Sequence, residues 1–237
     1  MLLTFEERLS DSPLVERVWR SWSAGGGAFV SVATTNLEIV ISRVQGRRSV
    51  TFRGPETRPS VIDCPPDGEW VAIRFRPGVR LRGLHTAAML DRNIDLPLAS
   101  NGRFSLHGDD WAPPDYDDAE ALVGRLVRAG VLALDPIVDA AVAEDDLQVT
   151  PRSVQRRFLA ATGLTFARIR QVHRARQAAL MLSGGVSILD TAFACGYFDQ
   201  AHLTRALRAF IGQTPARIVR AERQLSFLYK TGEGSAA

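Results

Sequence analysis

The chain has 237 residues, of which 46% are hydrophobic, so it is long enough to bury two modest cores. Its two cysteines, Cys64 and Cys195, are too few for a disulfide framework, which favours a reducing, intracellular compartment. No stretch has the composition of a signal peptide or approaches the roughly 18 apolar residues of a membrane-spanning helix. We therefore expect a cytoplasmic protein with no membrane partner.

Charge is distributed unevenly along the chain. The formal net charge is +3, but residues 151–237 carry 13 Lys and Arg against 4 Asp and Glu, a net charge of +9. Residues 1–150 carry 16 basic residues against 22 acidic ones, a net charge of −6. Such a basic half is typical of a nucleic-acid-binding domain and predicts an affinity that falls steeply with salt.

The first hundred residues have a strand pattern. Glycine, proline and asparagine separate five β-branched runs, at residues 28–35, 37–44, 49–53, 60–63 and 70–76. This rhythm is typical of an antiparallel sandwich or barrel. Upstream, Trp19 and Trp22 fit either a dimer surface or a cover for the barrel, and the sequence leaves both interpretations open.

This β-rich half has few residues suited to catalysis. A metal-dependent barrel enzyme needs two or three histidines and a glutamate that converge on the interior, whereas this half offers only His85 and His107, both outside the predicted strands. We therefore expect no metal, no cofactor and no enzymatic activity. A candidate effector pocket consists of Phe29, Trp70, Arg74, Phe75 and Arg76. The alternative is that the aromatic side chains are ordinary core and the arginines face outwards.

Residues 101–116 are polar and rich in turn formers, and we interpret them as a linker. A helical domain is predicted to follow over residues 117–230, with a first helix near 117–129 and a disordered tail at 231–237. Within this domain, helices at 134–144 and 151–162 flank a polar turn at 145–150. In the second of these helices Val154, Phe158 and Ala161 form the apolar stripe.

A second helix pair lies at residues 187–220, after a connecting helix at 165–182. Ser187 can cap the first helix, Gly196 suits the sharp turn, and Asp199 can cap the second helix. In the second helix Leu203 and Leu207 lie on one face and polar or basic residues on the other. Two such units joined by a helix of roughly 27 Å suit the reading of DNA grooves.

Residues 151–220 resemble the DNA-binding domain of AraC-family transcription regulators. The motifs are RSVQRRFLAATGLT at 152–165 and GYFDQAHLTRALRAFIGQTPARI at 196–218. The resemblance implies two helix-turn-helix units whose recognition helices enter successive major-groove segments on one side of the duplex. By position, it implies base-facing roles for eight residues: Arg152, Gln155, Arg156, Gln200, Ala201, His202, Thr204 and Arg205.

The N-terminal half also resembles a family module. Residues 14–98, including IRFRPGVRLRGL at 73–84 and LDRNIDLPL at 90–98, are similar to the cupin-like module that precedes this DNA-binding domain in one group of these regulators. That resemblance implies a regulatory sensor half.

Side-chain chemistry distinguishes the residues that are expected to contact bases from those that are expected to contact phosphate. Arginine can bond guanine O6 and N7 together, and glutamine can bond adenine N6 and N7. We therefore expect Gln155, Arg156, Gln200 and Arg205 to read bases. Four further arginines are expected to contact phosphate or remain solvated: Arg157, Arg208, Arg217 and Arg220. Arg176, inside the connecting helix, is either a buried structural charge or a DNA ligand.

The sequence thus predicts an α+β protein. Residues 1–100 form an antiparallel β-rich, cupin-like or sandwich module for sensing or dimerisation, and an all-α domain with two helix-turn-helix units follows. The predicted function is sequence-specific binding of double-stranded promoter DNA to regulate transcription, with activation favoured by the resemblance. RNA polymerase, a small-molecule effector and a second copy of the chain are candidate partners. The alternative is a small-molecule-binding or enzymatic barrel with a helical interaction module.

Overall fold

A six-stranded antiparallel sheet forms the centre of the N-terminal half, in a computed structural model that describes residues 3–142, 150–222 and 225–226. In chain order the strands are β1 (Leu3–Leu9), β2 (Val15–Ser23), β3 (Gly27–Ser31), β4 (Glu38–Val44), β5 (Arg47–Arg53), β6 (Ser60–Cys64), β7 (Glu69–Phe75), β8 (Val79–Leu81), β9 (Asn93–Leu96), β10 (Phe104–Leu106), β11 (Asp109–Trp111) and β12 (Leu132–Leu134). The large sheet has the order β1-β2-β7-β4-β5-β9, and three antiparallel pairs accompany it: β3 with β6, β10 with β11, and β8 with β12.

Helices make up most of the C-terminal half. They are α1 (Ala119–Arg128), α2 (Pro136–Val142), α3 (Pro151–Thr162), α4 (Phe166–Ser183), α5 (Ile188–Ala194), α6 (Gln200–Phe210) and α7 (Pro215–Val219), and a 3-10 helix lies at Thr86–Met89. Among the described residues, no helix is both long enough and apolar enough to cross a membrane. The predicted antiparallel β-rich region followed by a helical region is confirmed.

The two faces of the large sheet differ because side chains alternate along each strand. One face carries apolar side chains such as Val18, Ile39, Phe52 and Ile73, which are buried in the largest hydrophobic core. The other face carries polar and aromatic side chains, and β3 and β6 lie across it with α4 at one end. Because of this alternation, the module has a hydrophobic core on one face of the sheet and a polar cavity on the other.

The segment at 101–116 is not a simple linker. It contains the β10–β11 hairpin, and its Trp111 is buried in the same core as the sheet. The next helix, α1, buries Leu122 and Leu126 in that core, and Arg8 of β1 donates to both carboxylate oxygens of Glu120 at 2.6 and 2.8 Å. The predicted domain boundary at 116 is therefore wrong, because α1 covers the apolar face of the sheet.

The β-rich half extends to β12. Because Leu132–Leu134 pairs with β8, the helix predicted at 134–144 begins only at Pro136. The carboxylate of Asp135 accepts from the backbone N–H groups of Ile137 and Val138 and starts that helix. Most of the predicted polar turn at 145–150 and all of the predicted tail at 231–237 lie outside the described residues.

Two smaller cores hold the helices. One contains Phe158 and Ala161 of α3 with Val138 of α2. The other joins α4, α5, α6 and α7, and Val30 and Val32 of the β-rich half also belong to it. Helix α4 therefore packs against the second helix pair and the β-rich half at once.

Candidate DNA-binding surface

The first helix pair is α2 and α3. Thr150 caps α3 by accepting from the backbone N–H of Ser153, and Gly163 ends the helix in the left-handed conformation with φ of 71°. A side chain at Gly163 would also meet the backbone of Ala87 at 2.9 Å. Gly163 thus ends the helix and allows α3 to approach the 3-10 helix closely.

The outer face of α3 carries the residues that the sequence assigned to DNA. Arg152, Gln155 and Arg156 are all exposed, whereas Phe158 is fully buried on the opposite side. Arg157 is different, because its guanidinium lies 3.3 Å from the buried carboxylate of Asp135. The predicted phosphate contact at Arg157 therefore competes with an ion pair that links α3 to the start of α2.

The second helix pair, α5 and α6, has the expected caps. Ser187 accepts from the backbone N–H of Asp190, and Asp199 accepts from that of His202 at 2.6 Å. Gly196 makes the turn with φ of 67°, in the left-handed region that favours glycine. Leu203 and Leu207 are fully buried, so the orientation of α6 about its own axis is determined by its packing.

The outer face of α6 presents Gln200, Ala201 and Arg205, all exposed. Thr204 is half-buried, and its hydroxyl donates to the carbonyl oxygen of Gln200 at 2.8 Å. His202 is also half-buried: its ring packs edge-on against Tyr197, with centroids 5.2 Å apart. The eight predicted base-facing residues thus lie on α3 and α6, and two of them also support local structure.

The remaining predicted phosphate contacts lie near the C-terminal ends of α6 and α7. Arg208 is exposed on the last turn of α6. Arg217 forms an ion pair with Glu222 at 2.6 Å, and Arg220 lies 3.8 Å from the same carboxylate. Arg217 and Arg220 are thus close to an acidic side chain. Arg208 forms no ion pair with any Asp or Glu among the described residues.

Helix α4 connects the two helix pairs. Its 18 residues span about 27 Å. Arg174 stacks on Tyr197 with its guanidinium carbon 4.4 Å from the ring centre, and Arg168 stacks on Phe210 at the same distance. Arg176 is half-buried, and the loss of solvent around its guanidinium lowers its pKa to about 10. Because its guanidinium donates to the carbonyl oxygen of Ala33, Arg176 is a structural charge rather than a DNA ligand.

Sequence reasoning missed two exposed phenylalanines in the second helix pair. Phe193 on α5 is 87% exposed, and Phe198, in the turn directly before Asp199, is 93% exposed. A hydrophobic residue directly before a helix cap would ordinarily be assigned to packing. The apolar periodicity of α6 begins after Phe198, so the pattern that identified the helix carried no signal for this side chain.

The predicted effector residues divide between the two faces of the sheet. A cavity of about 390 Å³ on the polar face is lined by Phe29, Trp70 and Arg74, together with Arg176 from α4. Phe75 is on the opposite face, fully buried with its ring 6.5 Å from that of Phe52, so its assignment to the pocket is wrong.

Arg76 lies beyond the end of β7, and its Nε donates to the carbonyl oxygen of Val15. Arg76 does not line the cavity, because β7 ends at Phe75 and the Arg76 side chain is directed to the backbone of β2 instead.

Buried charges line one end of this cavity. Glu38 is 3% exposed and lies between two neighbouring strands, with Arg74 Nε at 2.7 Å and an Arg53 guanidinium nitrogen at 3.7 Å. Burial alone raises the pKa of Glu38, but the two guanidinium groups together hold it below its ordinary value. The carboxylate of Glu38 at this end of the cavity is therefore ionised.

A family model described as a helix-turn-helix domain matches residues 144–221. No curated protein sequence matches the chain. Among solved structures, ToxT from Vibrio cholerae O395 is similar at 8% identity and a TM-score of 0.39, covering 92% of this chain and 97% of that one. A 1.65 Å structure of ToxT from Vibrio cholerae is similar at 8% identity and a TM-score of 0.37, and the match covers 92% of this chain and 98% of that one. The family match and the two helix pairs show that residues 144–221 carry a helix-turn-helix domain of the AraC type, a DNA-binding domain of transcription regulators, which follows a β-rich module.

Proposed function

We propose that the chain binds specific sequences in double-stranded DNA by placing α3 and α6 in successive major-groove segments. The observation that carries this proposal is the matched exposure of polar residues on both helices: each buries one stripe in a core and turns its arginine and glutamine side chains to solvent. Helix α4 packs with both units and sets their separation. A centre-to-centre spacing of about one helical turn, roughly 34–36 Å, is expected for such a pair.

Within this proposal, the two helices read bases by the same chemistry. Arg156 on α3 and Arg205 on α6 bond guanine through O6 and N7, and Gln155 and Gln200 bond adenine through N6 and N7. Their side chains are exposed, so contact with DNA requires no rearrangement of the described core. RNA polymerase and a second copy of the chain are candidate partners of the DNA-bound protein.

The experiment that tests this proposal is selection of bound sequences from a random DNA pool by the full-length protein at fixed salt. The expected result is a site with two preferred segments whose centres lie about 10–10.5 base pairs apart. A single preferred segment would contradict the use of both recognition helices. Retention of DNA without any enriched sequence would contradict sequence-specific binding altogether.

We also propose that the cavity on the polar face of the sheet binds a small-molecule effector. Its walls combine Trp19, Trp70 and Phe29 with the charged group around Glu38, which suits a ligand with an apolar body and a polar substituent. Arg176 of α4 also lines this cavity. A ligand there would contact the β-rich half and the helix that joins the two DNA-binding units.

A thermal-shift screen of small molecules on the full-length protein, followed by DNA titration, tests the effector proposal. A true effector should raise the Tm of the wild type and change its DNA affinity, and Ser42→Trp, which fills the cavity, should abolish both effects. The matched control is Arg43→Trp, because Arg43 is exposed and lies outside the lining. Equal responses from both variants would place the ligand elsewhere.

A further inference from the structure

We infer that Phe198 reads a thymine 5-methyl group at the segment bound by α6; this inference rests on the proposed DNA-binding function. Phe198 precedes Asp199, the cap of α6, and its side chain is 93% exposed. A phenyl ring held almost entirely in water is unfavourable, and it gains free energy when a partner removes that apolar surface from water.

A purely structural role does not account for this side chain. A hydrophobic residue directly before a helix cap commonly packs against the residue five positions later, which here is Leu203. Leu203 is fully buried, whereas Phe198 is almost fully exposed, so the phenyl ring does not shield Leu203. The fold therefore does not bury the aromatic side chain of Phe198.

The backbone around Phe198 is held firmly. On one side, Tyr197 is 5% exposed and lies beneath the guanidinium group of Arg174. On the other side, Asp199 caps α6, and the backbone N–H of Phe198 donates to His202 Nδ1 at 3.4 Å. The exposed ring thus projects from an anchored turn, which limits the ordering that binding would require.

The place of Phe198 in the helix pair suggests its partner. In helix-turn-helix units, the N-terminal residues of the recognition helix contact base edges in the major groove. Phe198 lies two residues ahead of Gln200, and Gln200 and Ala201 are the first exposed residues of α6. Thymine alone among the DNA bases presents a methyl group in the major groove, and phenylalanine is among the side chains that contact it.

The test uses the site selected by the full-length protein, with each thymine in the α6 segment replaced in turn by uracil. Uracil removes the methyl group and keeps the hydrogen-bonding edge. For the wild type, one replacement should weaken binding about fourfold, the change that corresponds to burial of one methyl group. Phe198→Ala should weaken binding to the thymine site and show no further loss with uracil.

Phe193→Ala is the matched control, because this ring is also exposed but lies on α5. It should retain both the affinity of the wild type and its sensitivity to uracil. A well-defined site that tolerates uracil at every position would overturn the inference while leaving the proposed function intact. Absence of any selected sequence would contradict the proposed function, and the role of Phe198 with it.

Discussion

The hydroxyl of Thr35 and Nε2 of His173 lie 3.0 Å apart, in a hydrogen bond that joins the β-rich half to α4. Two arginines of the same helix also bond to this half: Arg176 donates to the carbonyl oxygen of Ala33, and Arg168 donates to that of Thr57. The helix that connects the two helix pairs is therefore held against the β-rich half by side chains along its length. These contacts hold α4, against which both helix pairs pack, in place on the β-rich half.

The first prediction concerns His173 and pH. Burial lowers the pKa of His173, Arg176 lowers it further, and Glu16 opposes the shift. The unfolded chain therefore takes up this proton more readily than the folded protein does. Consequently the contribution of His173 to stability is present above its unfolded pKa of about 6.5 and is lost as the pH falls from there through the lower pKa of the folded state.

His173→Gln keeps a group that can bond to Thr35 and removes the titration. We expect its free energy of unfolding to fall less than that of the wild type between pH 7 and pH 5, as measured by urea denaturation at several pH values. His85→Gln, which removes the histidine directly before the 3-10 helix, serves as the control. Parallel curves for the wild type and His173→Gln would show that the imidazole of His173 does not control this dependence.

The second prediction concerns the buried carboxylate of Glu38. Glu38→Gln leaves the guanidinium groups of Arg53 and Arg74 without the charge that lies between them. Because removal of one partner leaves the other charges buried, we expect a loss of about 3–5 kcal/mol in the free energy of unfolding. Chemical denaturation measures the change.

Glu69→Gln is the matched control, since Glu69 forms an exposed ion pair with Arg43 at 3.5 Å. It should leave the stability close to that of the wild type. Similar losses in the two variants would show that the cavity around Glu38 is hydrated and that its ion pairs are screened.

The third prediction concerns the core beneath α3. Phe158 is fully buried among Val138, Ala161 and Ile169, and its ring packs edge-on against Phe166. Phe158→Ala should therefore lower the free energy of unfolding by about 3–5 kcal/mol, through lost burial and the cavity that remains. The neighbouring Leu159 is 47% exposed, so Leu159→Ala should cost clearly less in the same denaturation measurement.

The helical half could be predicted closely from the sequence because its signals are local. Thr150, Ser187, Asp199 and Thr214 all cap helices as their residue types favour, and each accepts from the backbone N–H three residues later. Helical periodicity then identified the buried stripes. Local chemistry was sufficient here because both the caps and the stripes act within one or two turns.

The β-rich half was harder because its signals are nonlocal. Strands β1 and β2 were missed, since charged residues interrupt their apolar pattern; Glu6 pairs with Arg20 only once the strands are side by side. Similarly, the polar composition of residues 101–116 concealed that Trp111 completes the core. Alternation in β7 did contain one usable signal, because Arg74 and Phe75 are adjacent and must point to opposite faces.

The last prediction separates base reading from phosphate contact on α3 and α6. Arg156→Ala and Arg205→Ala should each reduce discrimination between the selected site and random DNA by about 1–3 kcal/mol, because a bidentate contact to guanine is lost. Arg208→Ala should instead weaken binding to both DNAs equally and reduce the slope of affinity against salt by about 1, as expected for one phosphate contact. Fluorescence titrations with both DNAs at several salt concentrations measure these quantities. If Arg156→Ala and Arg205→Ala lost affinity equally for both DNAs, these residues would be phosphate contacts, and sequence reading would rest on Gln155, Gln200 and the apolar contact of Phe198.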